Sequence, residues 1–236
     1  MTRTDRSAAA LDASPASDPR RRLLRTAGFG GIGAAVAWFL QPVLVSIASA
    51  DLVDGVDFAF VSSHPFNGIA EAAIFVAVGV GLLYFVTAVG RLARLSDAPT
   101  STTAAVSQTL GVTAALGWIL VAGLSVAPYT SVGLFLGEVA PDRATQLGLY
   151  QLLSVVLASA IMIYVVGFAW WLVALATIGR RRGVVGVPLA IVAFLAAAAM
   201  VAQLLVPFAP PWGTLAGLGF ALTAGIAFLV KAKRAA

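Results

Sequence analysis

The chain has 236 residues, of which 60% are hydrophobic and 11% charged, against about 25% charged in an ordinary soluble domain. With a mean hydropathy of +0.97 too little polar surface remains to cover a water-soluble globule, and the net charge of +5 sits in short clusters beside apolar runs, which argues against a nucleic-acid partner. Cysteine is absent and His64 is the single histidine, which excludes disulfides, thiol nucleophiles, iron–sulfur clusters and multi-histidine metal or haem sites; no metal and no cofactor is expected.

Residues Met1 to Pro19 are rich in Ala, Ser, Asp and Pro and cannot offset the entropy of ordering, so residues 1–25 are expected to be a disordered basic tail. Arg20, Arg21, Arg22 and Arg25 precede the first apolar run, about 27–50. With Ala48-Ser49-Ala50 they resemble a twin-arginine signal, but the run exceeds the ~7–15 residues of a signal core, which favours an uncleaved helix. Gln41-Pro42 predicts a kink near mid-depth. An acidic loop holding Asp51, Asp54 and Asp57 leads to a second span, 66–90, read as stopping at Gly90-Arg91 with glycine as the left-handed residue after the helix. A polar turn from Ser96 to Thr103 precedes a third span, 104–127, and Thr130 to Ala144 is too short and polar to cross, suggesting an interfacial helix around Leu134 and Phe135.

The organising stretch is Leu147 to Ile178, a charge-free run long enough to cross a ~30 Å hydrocarbon layer, ending at Gly179-Arg180-Arg181-Arg182. Spans at 146–178, 184–206 and 212–230 complete six, within a transmembrane domain 26–231 followed by a short tail, 232–236. Of the basic residues, only Arg143 falls opposite a side holding the N-terminal arginines, Arg91, Arg94, Arg180 to Arg182, Lys231, Lys233 and Arg234. The positive-inside rule therefore places both termini in the cytoplasm. Arginine in excess of lysine and plentiful alanine point to a GC-rich bacterial genome and its cytoplasmic (plasma) membrane. The expected fold is an all-α, polytopic membrane helical bundle.

No constellation amounts to a catalytic motif. An ionisable group inside hydrocarbon costs about 2.5–3.5 kcal/mol on insertion scales and marks a candidate site; Glu71 is the one that qualifies. His64, Asn67 and Glu71 are spaced by three and four, on one helix face. They read either as an ion- or amine-binding stripe, or as an Asn67 cap with Glu71 held by the helix N-terminus. Gln151, Gln203 and Gln41, with Gln146, Tyr150, Ser154, Ser125 and Tyr129, concentrate toward the outer half, where buried amides need partners. Together they suggest an outward-facing polar cavity. Gly30, Gly213 and Gly217 permit close helix approach, within the bundle or against a partner or second copy.

The layout of acidic first outer loop, long fourth span ending in a basic turn (ATIGRRRGVVGVPLAIVAF) and two closely spaced last spans resembles bacterial six-helix membrane proteins of unknown function. The resemblance covers spans two to five and implies a six-helix bundle in the plasma membrane, with no functional residues. The leading reading is a non-catalytic protein, embedded in the lipid bilayer, that binds or passes a small solute, lipid or ion through the cavity. An accessory or assembly subunit docking through small-residue faces is the alternative, and an intramembrane enzyme using Glu71 and His64 a third.

Overall fold

The computed structural model describes residues 18–48, 61–95, 101–140, 142–205 and 212–234. These are all-α: helices α1 (Pro19–Ala48), α2 (Pro65–Arg94), α3 (Thr102–Val126), α4 (Ser131–Val139), α5 (Arg143–Ala174), α6 (Val187–Leu205) and α7 (Trp212–Arg234), with a 3-10 turn at Ala127–Tyr129 and a π turn at Leu175–Gly179. Six are long and apolar enough to cross a membrane, and α4 is not among them. Helices follow from the solvent: without water, a lone segment satisfies its amides only by bonding to itself.

Each long helix packs on its neighbour in sequence, and α1 closes on α7, so the six form a ring. Glycines set the seams. A Cβ at Gly30 would lie 2.7 Å from Gly81 O and Phe85 N, and one at Gly81 would lie 2.9 Å from Gly30 O. On the other flank of α1, a Cβ at Gly225 would lie 2.8 Å from Gly28 O. On α7, a Cβ at Gly213 would meet Met200 Cα at 2.7 Å and one at Gly217 would meet Met200 Sδ at 3.0 Å. Gly30, Gly213 and Gly217 are thus filled by helices of the same chain.

Aromatic rings occupy the axis. Phe85 meets Trp171, Phe220 and Phe228 at centroid distances of 5.5, 6.4 and 6.2 Å. The column continues through Trp171–Phe168 (5.3 Å), Phe168–Tyr164 (5.4 Å), Tyr164–Trp118 (5.3 Å) and Trp118–Phe75 (5.5 Å). All of these rings are buried. The axis is packed rather than open.

Several boundaries differ from the sequence reading. Helix α1 opens at Pro19, because proline suits the first helical position and the Asp18 carboxylate takes the Arg20 amide at 3.0 Å. The four arginines therefore lie in its first turns, and residues 1–17 of the expected tail fall outside the described residues. Most of the Ala48-Ser49-Ala50 motif, the three aspartates and residues 206–211, between the last two spans, lie outside them too. Gly90 does not end α2, which runs on to Arg94; the Gln108 side chain covers it instead. Gly179 does not end α5 either: it sits in the π turn, the helical path continues to Arg181, and Gly183 adopts the left-handed conformation (φ 69°). The chain turns there because Gly183 and Val184 donate to the carbonyls of Arg180 and Gly179 at 3.0 and 2.9 Å. Helix α6 starts at Val187, with Pro188 at its second position.

Helix α5 begins earlier than expected because Asp142 caps it. Its carboxylate accepts from Thr145 N at 3.0 Å and from Thr145 Oγ1 at 2.6 Å. These bonds, the side-chain one foremost, hold the Asp142 pKa below its ordinary 3.8. The cap's contribution is accordingly complete above pH 3.8 and is lost as pH falls through the lowered value. In thermal unfolding, Asp142→Asn, which caps without titrating, should show a shallower decline than the native chain below that pH. Parallel profiles would rule the cap out as a titrating element.

Candidate functional site

Two ends of the ring are distinguishable. One, the basic end, gathers Arg20, Leu95, Arg182 and Lys231 around a common cavity and so carries both described chain ends. The far end holds the start of α2, the 3-10 turn and the starts of α5 and α7.

At the far end, Glu71 is half-buried on α2 and has no hydrogen-bond or ion-pair partner among the described residues. Tyr129, on the 3-10 turn, lies within electrostatic reach of both Glu71 and Tyr150 of α5. Gly68, three residues before Glu71, packs directly against the Tyr129 ring, which sets that approach. His64 is the N-cap of α2, with Nδ1 2.9 Å from Ser63 Oγ. Asn67 therefore belongs to the first turn rather than the cap; its amide donates to His64 O at 3.2 Å.

The remaining expected residues disperse. Gln203, on α6 across the ring from α2, is half-buried and spends its Oε1 on Thr214 N at 3.0 Å, supplying an amide at the open start of α7. Gln41 is half-buried beside Pro42 on α1, and Gln151 is exposed on α5. Gln146 Nε2 donates to Ala140 O at 2.9 Å. Arg143 and the exposed Leu134 and Phe135 of α4 flank this end.

The sequence reading missed a set of buried polar atoms. Arg21 Nε, Trp118 Nε1, Ser125 Oγ, Tyr164 OH and Thr214 Oγ1 have no hydrogen-bond partner among the described residues. Arg21 lies in the first turn of α1 at the basic end, and the other four fall in the half of the ring toward the far end. Trp118 and Ser125 share a face of α3, seven residues apart. The Tyr164 hydroxyl points at α7, where a Cβ on Gly217 would lie 2.5 Å from it. Thr214 stands one turn before Gly217 on the same helix face. The available signal was Tyr164 itself, a phenol in the middle of an otherwise apolar run.

Such atoms carry a penalty. A buried hydroxyl or indole N–H without a partner loses about 1–3 kcal/mol by mutational measures, and hydrocarbon offers no substitute acceptor. Hydroxyls spaced a helical turn apart across a seam suit a bound water or the polar group of a small solute. The basic half is different. A cleft of about 60 Å³ beside Gly90 and Trp171 holds Gln108, whose Nε2 donates to Val86 O at 3.1 Å, and Ser107, whose Oγ accepts from Trp170 Nε1 at 3.2 Å. Ser107 and Gln108 thus both have partners there, and the cleft has room for about one or two waters.

A closed ring of six helices long and apolar enough to cross a membrane is a multi-pass α-helical membrane protein. No protein-family model, curated protein or solved structure matches the chain. The likeness to six-helix bacterial proteins therefore rests on layout alone and assigns no residue a role.

Proposed function

We propose that the protein binds a small polar or cationic solute in a pocket entered from the far end, with Glu71 and Tyr129 at the mouth and Tyr164 and Thr214 at the base. The observation that carries this reading is the clustering in that half of the ring of four of the five unpartnered buried polar atoms among the described residues, the fifth, Arg21 Nε, lying at the basic end. A bound solute or its water would satisfy them, and the half-buried carboxylate of Glu71 favours a positively charged or proton-donating ligand. The packed aromatic column, of which the Tyr164 ring is a member, favours binding over open passage. By the positive-inside rule the basic end is cytoplasmic, so the mouth faces outward, across a bacterial plasma membrane.

The alternative of an accessory subunit would use Gly30, Gly213 and Gly217, but each already receives a helix of this chain. The enzyme alternative would need His64 and Glu71 to work together, and seven residues of helix separate them by about 10 Å of rise, too far for direct proton exchange.

The absence of cysteine makes the test direct. Ser125→Cys and Thr214→Cys should react with a small, water-soluble methanethiosulfonate supplied from the far side, whereas Ala224→Cys, fully buried in the ring, should not. If all three are equally inert, the pocket does not exist.

A further inference from the structure

The basic end holds a larger cavity, of about 310 Å³, near the lower bound for ligand pockets. Three cations from three separate elements line it: Arg20 in the first turn of α1, Arg182 in the turn after α5, and Lys231 in the last turn of α7. Leu24, Leu92 and Leu95 supply an apolar wall, and no acidic side chain among the described residues takes part. Arg20 and Lys231 lie close enough to repel each other.

Two of the cations are held in place. Lys231 Nζ donates to Val184 O at 3.1 Å, and Arg182 Nη1 donates to Ala93 O at 3.2 Å. The ammonium has two further donors to offer. The guanidinium of Arg20 makes no hydrogen bond or ion pair among the described residues, although its backbone amide is tied to Asp18. Topology accounts for basic residues at this end of the ring. It does not account for three of them turning toward one walled space, where they repel unless an anion sits between them.

We propose that this cavity binds a phosphate-bearing anion, either free phosphate or the headgroup of an anionic phospholipid whose acyl chain follows the leucine wall. A guanidinium with several donors and a point-charge ammonium are the pair that recurs in phosphate recognition. Cations fixed at the membrane surface also draw on the negative potential of anionic lipids.

The experiment uses the full chain in phosphatidylcholine nanodiscs, titrated either with inorganic phosphate or with phosphatidylglycerol included in the disc, and reads the thermal unfolding midpoint. The native protein should be stabilised by at least one of them. Stabilisation by phosphate in neutral discs identifies the free anion, and stabilisation by phosphatidylglycerol alone identifies the headgroup. Arg20→Gln with Lys231→Gln should weaken the response about tenfold or more in apparent affinity, and Arg20→Lys with Lys231→Arg should retain most of it. Arg91→Gln with Lys233→Gln removes two exposed charges that do not line the cavity, and should respond as the native chain does. If the double glutamine variant does not fold, Arg20→Gln alone, at an exposed position, carries the comparison. The proposal fails if neither anion stabilises the native protein, or if removing the outlying charges weakens the response as much as removing Arg20 and Lys231.

Discussion

Leucine at Gly30 is expected to unseat the first helix and abolish recovery of a monodisperse protein, whereas leucine at Gly33, three residues along the same helix, is expected to leave unfolding near that of the native chain. A Cβ at Gly30 would lie 2.7 Å from both Gly81 O and Phe85 N, while a Cβ at Gly33 meets nothing within 4 Å. Overpacking in soluble cores costs about 1–3 kcal/mol when side chains can yield. At Gly30 the obstructing atoms are backbone, and moving them means separating α1 from α2 along the whole seam, so the penalty lies at or beyond the top of that range. Size-exclusion profiles and thermal midpoints in one detergent compare the two variants. Similar behaviour would show that the α1–α2 seam is looser than described.

The second large effect is expected at Phe85. Replacing it with alanine opens a cavity at the point where α2, α5 and α7 meet through Trp171, Phe220 and Phe228. Phe→Ala in soluble cores costs about 3–5 kcal/mol. In a bilayer the separated helices still bury phenylalanine in lipid, so the transfer part is weak and the loss of packing contacts dominates. The expected destabilisation is thus about 3 kcal/mol, at the low end of that range. Tyr84→Ala, beside it on the same helix but exposed, should have little effect. Denaturant titration of reversible unfolding in mixed micelles measures both. A Phe85→Ala loss no larger than that of Tyr84→Ala would mean that the aromatic column does not hold the ring together.

The six long helices could be read from the sequence because lipid leaves little choice: an uncharged run of sufficient length between basic clusters must become a helix, and six of them are present. Their ends were less legible. Gly90 and Gly179 look like stop signals beside arginine, yet arginine is itself a good helix former, and both helices run past their glycines until Leu95 and Gly183. Helix pairing was not legible either. Hydropathy is nearly uniform around these helices, so nothing in the sequence distinguishes Gly30, pressed on Gly81, from Gly33, with open space beside it.

The same applies to the candidate sites. Glu71 stands out as a carboxylate in an apolar helix, but its neighbour Tyr129, and Tyr150 next to that, come from other parts of the chain. Gln203 looked like a ligand group until the nearby start of α7 accounted for it. Arg20, Arg182 and Lys231 read individually as markers of orientation, and only the closed ring makes them neighbours.

That closure has a consequence for biogenesis. Helix α1 is sealed by α7, which is made after the other five long helices described, since the groove beside Gly28 and Gly31 is filled by Leu229 and Ala221. Until α7 is made the nascent bundle is a split barrel of staves, with one flank of the α1 stave facing lipid. A ribosome that stalls before Trp212 releases a chain with that flank bare, which gives membrane quality control a physical mark of incompleteness to recognise.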